Sequence, residues 1–164
     1  MIEVNFDKIT QLSKQERYSI VLNQAEALMK DENNLIANLS NIVSLLKYSF
    51  DYYLWVGFYL YDEEKQNLVL GPFQGRIACT RIEIGKGVCG TAFKNRETLV
   101  IDDVNKFPGH IFCDSSSKSE IVVPVFRNDK IVGVLDVDSA VYSSFDAVDR
   151  KYLNELSLII SRIF

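Results

Sequence analysis

Three cysteines, Cys79, Cys89 and Cys113, are the residues of this chain best suited to chemistry. An odd number of thiols makes a poor disulfide framework, and a chain of 164 residues with 48% hydrophobic side chains can bury a core without one. Cys113 precedes a polar run over 114–120, so its thiol should meet solvent or a ligand. This arrangement suits a redox cycle in which a second cysteine captures a sulfenic acid, whereas the alternative is three inert core thiols.

Cys89 lies within Gly85–Gly90, which matches the G-x-G-x-x-G pattern of dinucleotide-binding loops. The acids Asp102 and Asp103 follow too soon to bind a ribose, and the intervening helix is too short for the usual crossover. We therefore interpret the glycines as a tight turn from strand to helix, with positive φ angles. A thiol at the start of that helix should feel the positive end of its dipole, which would lower the thiol pKa.

Zinc is the other chemistry that cysteines suggest, since His110 and Cys113 have H-x-x-C spacing. Structural zinc sites usually contain closely spaced ligand pairs, whereas Cys79 and Cys89 are ten residues apart. The single histidine is better explained as a loop residue than as a ligand or a base. We expect no metal and no organic cofactor.

Asp136 and Asp138 alternate along a predicted strand, so both carboxylates should face the same side of a sheet. Such a pair suits a cationic ligand group, but the solvent face of an edge strand would explain it equally well. Glu120 would face away from the aspartates if regular pairing followed a two-residue turn at 128–129. Pro124 cannot donate a ladder hydrogen bond, so we predict a bulge that shifts the register by one and brings Glu120 to the same face.

The elements that must position these residues change along the chain from helix to strand and back to helix. Capping-box spacing at Ser13–Glu16 opens a predicted helix that ends near Met29, and a second helix follows from Leu35 to about Phe50. Ser143–Asp146 repeats the spacing before a closing helix. Between them, β-branched and aromatic residues predict strands, and a short helix is predicted at 88–95. The predicted strands are 52–61, 67–73, 80–84, 98–101, 120–126 and 131–137.

This order predicts an α+β fold with a central antiparallel sheet and helices packed on one face. One domain would span residues 1–164, with N-terminal helices over 1–50, the sheet and active-site loops over 51–140, and a C-terminal helix over 143–164. Trp55, Gly57 and Tyr59 would share one face of the first strand, where large aromatic residues usually belong to the core.

Composition narrows the choice of partners. A net charge of −4 and a pI near 5.1 argue against nucleic acid or an anionic membrane as a partner. No run of roughly 18 apolar residues that could span a bilayer is present, and the first residues do not form a secretion signal. We therefore expect a cytoplasmic protein with reduced thiols and a small ligand.

Taken together, these segments resemble the free methionine-(R)-sulfoxide reductases, which are single-domain enzymes of the GAF fold. The resemblance covers nearly the whole chain, and the cysteines within its motifs make it specific. The motifs that carry it are Trp55–Tyr59, Gly71–Gly75 with Ala78-Cys79, Gly85–Ala92, Cys113-Asp114, Ser119–Pro124 and Leu135–Ser139.

The resemblance implies a role for each thiol and for the residues around it. Cys113 matches the nucleophile, and Cys79 and Cys89 match cysteines that take part in resolving it, with Cys79 as the preferred partner. Carboxylates would bind the amino group and the sulfoxide oxygen, and aromatic side chains would shape the pocket around the methyl group. These binding residues are Glu120, Asp136 and Asp138, together with Trp55 and Tyr59.

The implied activity is the reduction of free L-methionine (R)-S-oxide to L-methionine, a reaction that protects cells under oxidative stress. It would proceed by thiolate attack, a sulfenic acid and an intramolecular disulfide, with thioredoxin as the reductant and a homodimer as the assembly. The alternative is a GAF module that binds a small molecule or senses redox state without catalysis.

Overall fold

The computed structural model describes residue 9 and residues 11–109 and 114–164. The predictions for His110 and Cys113 therefore lie outside the described residues. Within those ranges the chain forms four helices, six strands and two short 3-10 turns, at Val104–Lys106 and Ser161–Ile163. The helices are α1 (Lys14–Met29), α2 (Leu35–Ser49), α3 (Gly87–Asn95) and α4 (Ala147–Ile160). The strands are β1 (Trp55–Asp62), β2 (Asn67–Gln74), β3 (Arg81–Glu83), β4 (Leu99–Ile101), β5 (Ser119–Arg127) and β6 (Lys130–Ser139).

Local sequence signals start the first two helices where they were expected. The Ser13 hydroxyl accepts a hydrogen bond from the Glu16 backbone N–H, and the Glu16 carboxylate accepts one from the Ser13 N–H, which completes a capping box. Asn34 caps α2 by accepting a hydrogen bond from the Ala37 N–H at 2.9 Å. The predicted N-terminal helical pair is confirmed.

The start of the closing helix differs from the prediction. Ser143 has a φ of 49°, which is incompatible with a helix beginning there, and the capping residue is Asp146. Its carboxylate accepts hydrogen bonds from the N–H groups of Val148 and Asp149, and Asp149 completes a capping box in return. The capping-box assignment at Ser143–Asp146 was therefore wrong by three residues.

Asp149 also ties α4 to the N-terminal part of the chain. Its side chain is completely buried and accepts hydrogen bonds from the hydroxyls of Tyr18 and Tyr52, at 2.8 and 2.9 Å. Lys14 donates to the other carboxylate oxygen at 2.6 Å. Because one buried carboxylate is satisfied by three side chains from α1 and the segment before β1, loss of any partner would leave it undersolvated.

The six strands form one antiparallel sheet in the order β3-β2-β1-β6-β5-β4. Strand alternation divides the middle of this sheet into two faces. One face packs under α1, α2 and α4 and forms the main apolar core, and its sheet residues include Val56, Phe58, Val123, Leu135 and Val137. The α+β architecture with terminal helices on one face is confirmed. None of the helices within 11–109 and 114–164 is long and apolar enough to cross a bilayer.

The opposite face carries a smaller apolar cluster, which α3 covers. The register of β5 and β6 decides which acidic side chains lie on this face. Near the turn, Arg127 pairs with Lys130 and Phe126 with Ile131, but Val125 pairs with Gly133. Val132 is therefore an extra residue in β6, and the register shifts by one at that point.

The bulge that we predicted near Pro124 exists, but it lies one step closer to the turn and on the opposite strand. Pro124 itself pairs with Val134 without a register shift. The consequence is the expected one, because beyond the bulge Glu120 pairs directly with Asp138. Directly opposed residues share a face, so all three acids point to the same side.

Candidate active site

A cavity of about 50 Å³ lies over the face of the sheet that α3 partly covers. Its walls come from β1, β5 and β6, from the start of α3, and from the loop segments 77–78 and 114–117. Every predicted site residue in the described chain except Cys79 lines this cavity, and Cys79 packs within the same cluster. The residues concerned are Trp55, Tyr59, Cys89, Glu120, Asp136 and Asp138.

Three carboxylates converge at the floor of the cavity. Glu120 on β5 pairs with Asp138 on β6, and Asp136 lies two residues along the same strand. Glu120 and Asp136 are only 5% and 6% exposed, and Oδ1 of Asp136 has no hydrogen-bond partner in the described structure. A buried and unsatisfied carboxylate oxygen is costly, so it marks a place where a cationic group could bind.

Burial determines the protonation of this cluster. Loss of solvent raises the pKa of Glu120 well above its usual value, and the charges of Asp136 and Asp138 raise it further. Desolvation likewise raises the pKa of Asp136 to about 6, even though Cys89 and Glu120 stabilise its charge by hydrogen bonding. The pKa of Asp138 is also raised by burial and by Asp136. These raised pKa values favour a protonated carboxyl group in the cluster, which could act as a proton donor.

Cys89 meets the acids from the first turn of α3. Its Sγ lies 3.9 Å from Oε1 of Glu120 and donates toward it, and the residue is buried. Burial, followed by the charges of Asp136 and Glu120, raises the pKa of the Cys89 thiol well above its usual value. The expectation of a lowered thiol pKa was wrong, because desolvation and two carboxylates outweigh the helix dipole.

Cys79 differs from Cys89 in both position and state. Cys79 is disulfide-bonded, whereas Cys89 is a free thiol. The Tyr59 hydroxyl donates to the Cys79 carbonyl at 3.0 Å, and the Trp55 indole N–H donates to the Arg76 carbonyl at 3.1 Å. The two aromatic side chains therefore hold the backbone of the cysteine-bearing loop against the sheet, in addition to forming a wall of the cavity.

Two glycines make room for this arrangement. A Cβ on Gly57 would lie 2.5 Å from the Trp55 ring. The ring can therefore lie over residue 57 only because that residue has no side chain. A Cβ on Gly90 would lie 2.3 Å from the Glu83 carbonyl oxygen, which explains the close approach of α3 to β3. Gly85 and Gly87 have φ angles of 82° and 59°, so the prediction of a tight glycine turn is confirmed.

Sequence reasoning missed three further residues at the cavity. The Ser117 hydroxyl donates a hydrogen bond to Asp138, and Asp114 lies 3.5 Å from a guanidinium nitrogen of Arg76. Lys86 lines the cavity as the residue before α3. Asp114 and Ser117 follow Cys113 closely in the chain, and that proximity was the available signal, but a serine-rich loop does not indicate which hydroxyl points inward.

A metal ion could be held by only some of the residues first considered. The pair His110 and Cys113 lies outside the described residues. Among residues 11–109 and 114–164, one group of potential ligands is close enough for an ion: Cys89, Glu120 and Asp136 have ligand atoms within 4.8 Å of one another. This group lies inside the cavity.

Comparison with known proteins identifies the family to which this fold belongs. A family model described as GAF domain matches residues 39–164. GAF domain-containing protein A of Dictyostelium discoideum is 55% identical over 149 residues, which cover 91% of this chain and 93% of that protein. The class of protein defined by the fold is thus a GAF domain.

Two further relatives carry a more specific name. The free methionine-R-sulfoxide reductase of Saccharomyces cerevisiae is 45% identical over 157 residues, covering 92% of this chain and 87% of that protein. The structure of free methionine-R-sulfoxide reductase from Neisseria meningitidis in complex with its substrate is similar with a TM-score of 0.91. That match has 47% identity and covers 93% of this chain and 91% of the other. The chain belongs to the free methionine-R-sulfoxide reductase family of GAF-domain proteins.

Proposed function

We propose that this protein reduces free L-methionine (R)-S-oxide to L-methionine by cysteine chemistry. The observation that carries the proposal is the convergence of Glu120, Asp136 and Asp138 in a cavity beside a redox-competent cysteine loop. Relatives that bear the name of this activity match more than nine-tenths of the chain. The epimer preference follows from that relationship.

In the first step, the Cys113 thiolate attacks the sulfoxide sulfur. The oxygen takes up a proton from a buried carboxylic acid, methionine leaves, and Cys113 becomes a sulfenic acid, so the sulfoxide is reduced as the thiol is oxidised. Glu120 is our choice of donor, because burial and the two neighbouring carboxylates raise its pKa and so favour its protonated form.

In the second step, the Cys79 thiol condenses with the sulfenic acid, which releases water and forms a disulfide. The states of the two described cysteines support this assignment, since Cys79 is disulfide-bonded and Cys89 is a buried free thiol with a raised pKa. A dithiol reductant of the thioredoxin type would restore both thiols by exchange. Cys89 would then take part in a later step of resolution.

Selectivity for the free amino acid would come from its α-ammonium group. Asp136 presents an unpartnered buried oxygen, which a positively charged ammonium would satisfy and a peptide amide would not. We place the charged head group of the substrate in the cavity of about 50 Å³. The remainder of the substrate would extend toward Ile77 and Lys86, which also line the cavity. Trp55 and Tyr59 would contact the apolar side chain.

The cellular setting remains a set of predictions. We propose that the whole chain, residues 1–164, works as one domain, that it assembles as a homodimer, and that it acts in the cytoplasm during oxidative stress. These expectations rest on the family relationship and on the requirement for reduced thiols.

The test is release of methionine from racemic free methionine sulfoxide with dithiothreitol, resolving the two sulfur epimers. We expect loss of the R epimer alone, abolition of turnover in Cys113→Ser, and stoichiometric sulfenic acid but no sustained thioredoxin-dependent turnover in Cys79→Ser. N-acetylmethionine sulfoxide, which lacks the ammonium, should be a poor substrate. Turnover of both epimers, or equal turnover of the acetylated compound, would contradict the proposed site, and absence of turnover would favour a ligand-binding GAF domain.

A further inference from the structure

We propose that the cavity is also a binding site for a thiophilic divalent cation of the zinc class, with Cys89, Glu120 and Asp136 as its protein ligands. Binding would be inhibitory, because the ion would occupy the place at which we put the substrate ammonium. The cation site does not depend on the proposed reaction, since it can be measured without turnover.

The first support is the type and closeness of the ligand atoms. One thiol sulfur and two carboxylate oxygens lie within 4.8 Å of one another. In a tetrahedral zinc site, ordinary metal–ligand lengths place sulfur about 3.6 Å from a neighbouring ligand oxygen. The distance between Cys89 Sγ and Glu120 Oε1 is 3.9 Å, so only a small side-chain adjustment would be needed.

The second support is an unsatisfied atom. Oδ1 of Asp136 is buried and has no hydrogen-bond partner within the described chain, although the residue is only 6% exposed. A cation would satisfy this oxygen more fully than a neutral donor, because the carboxylate keeps its charge in a low-dielectric site.

The third support is the charge and size of the cavity. Among its described lining residues four are acidic and one, Lys86, is basic. Lys86 is exposed, whereas Glu120 and Asp136 are buried, so the negative charge is the less screened of the two. The cavity volume of about 50 Å³ exceeds the roughly 10–15 Å³ of such space that one water molecule requires, which leaves space for an ion with a water as fourth ligand.

Binding would form a sulfur–metal bond and release the Cys89 proton to solvent, with no change of oxidation state. Cys89 is suited to this role because it is not engaged in a disulfide. Cys89 is buried, so a ligand role would require only that a cation in the cavity displace the thiol proton.

The experiment uses the full chain with Cys79→Ser and Cys113→Ser, in which Cys89 is the single thiol. Titration with Cd²⁺ should produce sulfur-to-cadmium ultraviolet absorption that saturates at one ion per chain, and Zn²⁺ should displace the Cd²⁺. Adding Cys89→Ser should remove the absorption. Adding Asp136→Asn should weaken the affinity at least about tenfold, since even outer-shell changes cost that much at metal sites.

Glu83→Gln is the matched control, because Glu83 is an exposed acid on β3 outside the cavity. The affinity of this variant for Cd²⁺ should be unchanged. Urea unfolding of each variant verifies that the site has not been lost through unfolding. No saturable absorption, or equal affinity in Asp136→Asn and Glu83→Gln, would overturn the proposal.

A second measurement separates this inference from the proposed function. Free methionine should raise the apparent dissociation constant for Cd²⁺ if both ligands use Asp136. Saturable cadmium binding that methionine does not affect would leave the cation site intact and would contradict our placement of the substrate ammonium. Displacement by methionine supports both.

Discussion

The two faces of the central sheet are built from alternate residues of the same strands, yet they do different work. On the face under the helices, Leu135 and Val137 are completely buried among aliphatic and aromatic side chains. On the other face, their neighbours Asp136 and Asp138 meet Glu120 in a cavity. A change of one residue position along β6 therefore changes an apolar contact into a buried charge.

The comparison shows which face stabilises the molecule and which face costs stability. Burial of large apolar side chains is favourable by roughly 1.5–3 kcal/mol each, and the helix-covered face contains many of them. The acidic face does the opposite, since desolvation raises the pKa of each of its three carboxyl groups. The stability gained on the apolar face therefore offsets the cost of burying the three carboxyl groups on the other face.

Placing a charge on the helix-covered face should produce the largest effect. Val137 is completely buried in the apolar core between Asp136 and Asp138, so Val137→Asp would put a carboxylate among aliphatic and aromatic side chains. We expect cooperative unfolding to be lost and reductase activity to fall to background, since the buried charge would have no partner there. Methionine release and urea unfolding measure the two effects.

Val137→Ala keeps the position apolar and serves as the control for that substitution. It should retain activity and lose about 1.5–3 kcal/mol of stability, as expected for trimming a completely buried aliphatic side chain. If Val137→Asp unfolded cooperatively and kept normal activity, the helix-covered face would not be the one that excludes charge.

Adjacent substitutions on β6 should separate stability from catalysis. Leu135→Ala is expected to lower the free energy of unfolding by about 2–5 kcal/mol, while the remaining folded protein keeps near-normal kcat/KM. Asp136→Asn should lower kcat/KM by about 10- to 100-fold, the value of a hydrogen bond to a charged group, with little loss of stability. Urea unfolding and steady-state kinetics of both variants are the measurements.

If Leu135→Ala and Asp136→Asn both lost mainly stability, or both lost mainly activity, the two faces of the sheet would not be energetically distinct. Leu135→Met, a volume-conserving change, is the control for the first variant and should cost less than about 1.5 kcal/mol.

The buried acids should also make stability depend on pH in a defined direction. The pKa of Asp136 is about 6 in the folded protein and near 3.8 when unfolded, so between these values the folded state binds more protons. The free energy of unfolding should therefore decrease as pH rises from about 4 to 6, by of the order of 1–3 kcal/mol from this group.

Urea unfolding of the unmodified protein and Asp136→Asn at both ends of that range isolates the contribution. The decrease should be smaller in Asp136→Asn, whereas Glu83→Gln should behave like the unmodified protein. An identical decrease in all three proteins would show that Asp136 is not the group responsible.

The smallest expected effect concerns the loop that carries Cys79. Tyr59→Phe removes the hydrogen bond to the Cys79 carbonyl, a contact worth about 0.5–1.5 kcal/mol. We expect the rate of disulfide formation, followed by quenched-flow thiol titration, to fall about two- to tenfold while stability changes little. Tyr61→Phe, on the same side of β1, should leave that rate unchanged, and equal rates in Tyr59→Phe and Tyr61→Phe would contradict a positioning role for the hydroxyl.

Much of the fold was predictable because its signals are local. Capping residues, helical spacing and β-branched runs depend on neighbours within a few positions, and they predicted the helices and strands to within a few residues. The closing helix was misplaced because Ser143 and Asp146 both have capping side chains, and only the backbone conformation at Ser143 decides between them.

The candidate site was predicted less completely, for a physical reason. Alternation placed Asp136 and Asp138 on one face, and Pro124 indicated that a bulge was needed to add Glu120. The bulge falls at Val132, next to Gly133, where β1 approaches so closely that a Cβ on Gly133 would lie 2.5 Å from the Tyr59 carbonyl oxygen. Such a contact between distant segments leaves no local pattern.

The sequence by itself determined the elements, the alternation that separates acids from apolar residues, and the motifs of the family. Tertiary structure decided the electrostatics. The sequence placed Cys89 at a helix start, where the dipole would lower its pKa, but packing against Glu120 and Asp136 raises it instead. Desolvation depends on every group that surrounds an atom, and those groups come together only when the whole chain has folded.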